Sequence, residues 1–213
     1  MTATVPKLTP STLAALMCAR ICHDLVSPVG ALGTAIEILD DDSNADMHGD
    51  ALELVKSSSR RASAKLKYLR LAFGAAGSAP GVLATAEIKA LAEDMFSDAK
   101  PELHFDFHSD GIDKSRARLL LNLLMLGVQA VPRGGEVHVI TEDTALKIVA
   151  TGRRARLDEA VSRALSGRAP EDGFDGRTIQ PFYAGMMARE QGGSTQASIA
   201  DETVTFRADF VGA

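Results

Sequence analysis

The residues best suited to chemistry stand in the run Cys22-His23-Asp24-Leu25-Val26-Ser27-Pro28. A neutral imidazole is nucleophilic near pH 7 without strong activation. Asp24 can accept a hydrogen bond from one ring nitrogen, fixing the tautomer and leaving the other nitrogen to attack. An exposed histidine so arranged suits attack on the phosphoryl-aspartate of another protein. Exposure is what the spacing predicts. Apolar residues recur at Leu13, Met17, Ile21, Leu25, Val29, Leu32, Ile36 and Leu39, a helical stripe. Each helical residue turns about 100°, so His23 falls nearly opposite Ile21 and Leu25.

Ser27, Gly30 and Thr34 share the His23 face, with Ala19 and Arg20 a turn below; only Leu16 interrupts this polar surface. Small side chains there let a partner's backbone or helix approach closely. Arg20 is a candidate for neutralising phosphoryl oxygens, the plain alternative being a solvated arginine. A lone His-Asp pair is otherwise an ordinary surface feature. Cys18 and Cys22 fall on or near the apolar stripe and read as reduced core thiols. No set of four zinc ligands is visible, so no metal site is expected.

The elements that position His23 follow from periodicity. Residues 11–39 read as one helix with Ser11 as N-cap, and Asp40 to Asn44 as a turn. A second helix is expected from about Asp46 to Phe73, with Gly74 ending it. Two amphipathic helices on a short loop make a hairpin that cannot bury its stripe alone. A second copy would complete a four-helix bundle, so a homodimer is expected. Gly74 to Gly81 is small and uncharged and reads as a linker, separating a helical region over 1–76 from a second region over 82–213.

In the second region a helix is expected over 86–97 behind a Thr85 cap. A strand is expected over 104–108, with Leu103, Phe105 and Phe107 on one side. A very apolar helix follows over 114–131. Strands are expected at about 136–141, 145–150, 195–200 and 203–210, with helices near 158–165 and 178–190. That order predicts an α/β sandwich, helices on one face of a mixed sheet.

Composition narrows the function classes. Across 213 residues, 46% hydrophobic and 24% charged content argue against wholesale disorder. A net charge of −5 argues against nucleic acid as the main partner. Arg60-Arg61 and Arg153 to Arg156 are short basic clusters that read as solvated surface. No apolar run approaches the roughly 20 residues of a membrane span, and the opening MTATVPKLTP holds no signal segment. A soluble, cytoplasmic protein is expected.

His-Asp-Leu-x-x-Pro resembles the phosphoacceptor box of histidine kinases, with Pro28 in the proline's place and Ser27 where the kinases often carry Thr or Asn. Residues 82–213 resemble the kinases' ATP-binding domain with its motifs lost. Asn122 matches an upstream Asn, but the magnesium-binding place falls on Leu126, which offers no oxygen. Ala150-Thr151-Gly152-Arg153-Arg154 lacks the adenine-recognising carboxylate. Asp175-Gly176-Arg177-Thr178-Ile179 has one glycine where a phosphate lid needs several. These losses argue against ATP binding.

Over nearly its whole length the chain resembles the ChpT family of alphaproteobacterial histidine phosphotransferases. The resemblance rests on Ala19 to Asp24 with Ser27-Pro28, Ser57-Ser58-Ser59-Arg60, Arg70 to Ala75, and Ala130 to Gly135. It implies a homodimeric hairpin bundle and a degenerate ATPase-like sandwich. It implies that His23 relays a phosphoryl group from the receiver domain of a hybrid kinase to response regulators of the CtrA and CpdR kind, which control the cell cycle. The receiver would supply the Mg2+, so no cofactor of the chain's own is expected. Two other readings stay open: an active kinase with a divergent ATP site, and a non-catalytic adaptor or inhibitor that binds a receiver or kinase.

Overall fold

The computed structural model describes residues 8–74, 80–171 and 173–211. Helices α1 (Pro10–Leu39) and α2 (His48–Phe73) form a hairpin joined through a 3-10 helix over Asp42–Met47. Capping sets these limits. Thr9, not Ser11, is the N-cap of α1: its hydroxyl accepts from the Thr12 N–H at 3.2 Å, and Pro10 occupies the first turn, where its missing N–H costs nothing. Asp41 caps the 3-10 helix through the Ser43 N–H at 2.9 Å, so the expected turn is partly helical and α2 starts at His48 rather than Asp46. At Gly74, which ends α2, the N–H donates to the Arg70 carbonyl at 3.0 Å.

The remaining elements, in order, are β1 (Val82–Ala84), α3 (Thr85–Met95), β2 (Pro101–Phe107), β3 (Gly111–Asp113) and α4 (Lys114–Ala130). They continue as β4 (Gly135–Glu142), β5 (Ala145–Thr151), α5 (Glu159–Leu165), α6 (Ile179–Glu190), β6 (Gly193–Ala200) and β7 (Thr203–Phe210). Strand order in the main sheet is β2-β4-β5-β7-β6, with β2 parallel to β4 and every other pair antiparallel. The α/β sandwich is therefore as expected, with a mixed sheet. The small antiparallel pair β1–β3 was not foreseen; three-residue strands carry too little alternation to register. Thr85 is the first residue of α3 and is buried; the cap position belongs to Ala84, which offers no side-chain acceptor.

Alternation sorts the sheet's two faces. Val137, Val139, Ile148, Ala150, Val204, Phe206 and Ala208 point to the core, and α4 lies across them. Contact is close at Gly127, where any Cβ would collide with Ile148. Glu136, His138, Ile140, Lys147 and Val149 point the other way, half-buried or exposed.

Hairpin and sandwich share one core. Tyr68, Leu69 and Ala72 of α2 belong to the same buried cluster as Leu119 to Leu126 of α4. A polar seam laces the junction. The Tyr68 hydroxyl donates to the Leu121 carbonyl at 2.8 Å, and burial pushes its pKa far up, keeping it a donor. Asn122 Nδ2 donates to the Ala72 carbonyl at 2.9 Å, and Gln180 Nε2 donates to Asn122 Oδ1 at 3.1 Å. The expected linker falls mostly on residues 75–79, outside the described residues, as do residues 1–7 of the opening segment.

Two expectations about α1 need correction. By length and composition α1 is apolar enough to cross a membrane, although little of it is buried. Its apolar residues are spread through Ala, Ser and Gly instead of standing in one block, so no single run stood out. Nor do the cysteines lie in a core: Cys18 and Cys22 are both exposed. The physical reason is a rotation of the buried line. It runs through Arg20, Asp24, Pro28, Ala31 and Ala35, leaving Val26, Val29 and Ile36 exposed on the same arc as Cys22.

Candidate phosphoacceptor site

His23 stands on α1 with 85% of its side chain exposed, one residue before the buried line. A step of about 100° carries it off that line and onto the open face of the helix. Ala19, Ser27, Gly30 and Thr34 are exposed on the same face. The Thr34 hydroxyl turns back to the Gly30 carbonyl at 3.4 Å, and a Cβ built on Gly30 would meet nothing within 4 Å. The surface around the imidazole is thus low and open.

Behind the ring lies a chain of polar contacts. His23 Nδ1 is 3.5 Å from Asp24 Oδ1, within reach of an N–H donated to the carboxylate. Arg20 Nε donates to the other oxygen, Asp24 Oδ2, at 3.0 Å, and Arg20 Nη1 donates to the Gly176 carbonyl at 3.0 Å. Only 15% of the Asp24 side chain and 11% of Arg20 are exposed, so this ion pair is shielded and geometrically held. Arg20 accordingly does not share the open face with His23, as helix geometry had suggested. Its guanidinium is spent on Asp24 and on the loop ahead of α6.

That loop is itself pinned. Asp175 accepts from the Arg177 and Thr178 N–H groups at 3.0 and 2.9 Å and from the Thr178 hydroxyl at 2.7 Å. Burial alone would raise the Asp175 pKa, but the Thr178 and Arg177 hydrogen bonds outweigh it and hold the carboxyl below its usual value. The segment matched to a kinase's phosphate lid therefore presents the Gly176 carbonyl to Arg20. At the matched magnesium position Leu126 is packed in the core, only 3% exposed.

Sequence reasoning missed Lys65. Pro28 has no N–H, so the Asp24 carbonyl loses its partner in the helical ladder. Lys65 of α2 supplies one, donating from Nζ to the Asp24 carbonyl at 2.8 Å. The signal was present in Pro28: a buried helix carbonyl four residues before a proline needs a donor from elsewhere. Gly176 left no such signal, since its role is a backbone contact 156 positions away.

A family model described as the histidine phosphotransferase C-terminal domain matches residues 85–203. The protein phosphotransferase ChpT of Brucella abortus (strain 2308) is 40% identical over 201 residues, covering 92% of this chain and 95% of that protein. A bacterial phosphotransferase solved at 1.7 Å is 35% identical, with a TM-score of 0.83 over 97% of this chain and 100% of its own. Both likenesses run through the hairpin as well as the sandwich. By sequence and by fold, the chain belongs to the ChpT family of protein histidine phosphotransferases.

Proposed function

We propose that His23 is the phosphoacceptor, and that it relays a phosphoryl group from the receiver domain of a hybrid kinase to response regulators of the CtrA and CpdR kind. The observation that carries this reading is an imidazole open on one side and backed on the other by a shielded carboxylate. Asp24 holds the Nδ1–H, leaving the Nε2 lone pair to attack phosphorus. A P–N bond forms, the P–O bond to the receiver aspartate breaks, and that aspartate leaves as a carboxylate. The second transfer reverses these steps on another receiver. Ala19, Ser27, Gly30 and Thr34 form the surface on which a receiver docks, bringing its own Mg2+ to the phosphoryl oxygens. Arg20 is a positioning residue, holding Asp24 rather than the phosphoryl group.

The functional unit is a homodimer. Val26 at 67%, Val29 at 55% and Ile36 at 51% exposure line one arc of α1, and Leu66 of α2 borders an apolar groove with Ile21, Leu69 and Phe73. A second hairpin laid over these residues would complete the dimeric four-helix bundle and bury the apolar arc of α1. The sandwich works without ATP, a docking and stabilising unit whose nucleotide motifs have gone.

Mapping the phosphorylated residue tests the assignment. After incubation with a phosphorylated receiver domain, fragment mass spectrometry under mildly alkaline conditions should find phosphate on His23 alone. Phosphate on His48, His104, His108 or His138 instead would overturn it.

A further inference from the structure

On the sheet's open face, away from His23, β2 and β4 bring two histidines and a carboxylate together. His104 lies directly opposite His138 in the parallel register, and their rings stack with centroids 4.7 Å apart. Glu136, two residues before His138 and on the same face, sets Oε2 3.2 Å from His138 Nε2. Donor atoms from all three side chains lie within 4.8 Å of one another. The arrangement has one loose end. His104 Nε2 is shut off from solvent and has no hydrogen-bond partner, a costly state for an imidazole nitrogen.

We propose that His104, His138 and Glu136 bind a divalent transition metal of the Zn2+, Ni2+ or Cu2+ class. Two imidazoles and one carboxylate are the donors such ions favour over Mg2+ or Ca2+, and three protein ligands leave a position for water. Tetrahedral binding asks for donor separations of about 3.4 Å, so on taking up the ion the two stacked rings must swing apart until both lone pairs point at it. The ion would take up the orphaned His104 nitrogen and replace the contact between His138 and Glu136. The charge around it is suitable. Glu102 and Asp106 alternate with the core residues of β2 and so share the face of His104; on β5 Val149 lies opposite His138, and Lys147, opposite Ile140, is the cation on that face that these carboxylates offset. Because β2 is an edge strand, the metal would tie it to β4 and stabilise the fold.

Isothermal titration with Zn2+ near neutral pH tests the site, with Cys18→Ser and Cys22→Ser in every sample because those exposed thiols also bind zinc. One equivalent should bind, and His104→Gln or His138→Gln should weaken it by at least about tenfold. His23→Gln should leave it unchanged. His138 is partly exposed, so its variant decides the matter if His104→Gln misfolds by circular dichroism. No binding in the thiol-free protein, or binding indifferent to the His138 substitution, would overturn the proposal.

Discussion

Helices α1 and α4 bury themselves to opposite degrees. Only Arg20, Pro28 and Ala35 of α1's 30 residues are buried, whereas 11 of α4's 17 are. The sandwich buries a core that it shares with α2, and across the hairpin junction Tyr68 donates to the Leu121 carbonyl and Asn122 to the Ala72 carbonyl. The hairpin leaves two faces open, one apolar through Val26, Val29 and Ile36, the other small and polar around His23. The difference teaches where function resides. The unfinished surfaces lie on the helices, where the proposed second copy and receiver would meet the chain, and the sandwich holds those helices in place.

The contrast can be broken first at the apolar face. Val29→Glu with Ile36→Glu places carboxylates where a dimer would bury them, at several kcal/mol each. Association should weaken by about a thousandfold or more. Light scattering should report a monomer while circular dichroism stays native; an unchanged dimer would mean that this face is solvent in the functional unit.

The buried seam comes next. Asn122→Leu removes the amide that donates to the buried Ala72 carbonyl, while Gln180 Nε2 keeps its bond to the backbone carbonyl of residue 122 at 2.9 Å, and should cost about 2 kcal/mol in urea unfolding. A cost near zero would show that the junction relies on apolar packing alone. A smaller effect is expected behind the imidazole. Arg20→Ala should slow transfer to His23 by about tenfold, the worth of one charge-assisted hydrogen bond, with Arg20→Lys recovering part of the loss. If Arg20→Ala transfers at the normal rate, Asp24 needs no positioning.

The smallest effect is acid sensitivity. For Asp113 and Asp175 burial raises the pKa, but hydrogen bonds from Ser115 and Thr178 outweigh it, so both fall below the usual 3.8. A lowered folded pKa adds stability that is complete above the unfolded value and is lost as pH falls through the folded one. Asp175→Asn should therefore be less stable than the parent at about pH 5, with the gap closing towards about pH 3. A gap that does not close would assign the effect to packing instead of charge.

Much of this was legible in the residues. The two long helices, the buried α4 and the main strands follow from periodicity over seven or more residues. The exposure of His23 followed from a turn of about 100° per residue. What escaped reading depended on neighbours distant in sequence. The buried line of α1 is offset from its apolar stripe because Arg20 and Asp24, a charged pair, are drawn in by the Gly176 carbonyl. No amphipathic pattern marks that, and it left Cys18 and Cys22 outside. The β1–β3 pair is held by backbone register over three residues, too short for any pattern. Pro28 does signal a donor such as Lys65, because its missing N–H frees the Asp24 carbonyl.

The central claim is that phosphate enters through an open imidazole on the hairpin and not through the sandwich. Radiolabelled phosphoryl receiver domain and radiolabelled ATP, offered separately to the full chain, test it most directly. The account predicts label from the receiver only, lost in His23→Ala. Label taken from ATP alone would contradict it and make the sandwich a working kinase domain; no label from either would leave a docking protein without phosphotransfer.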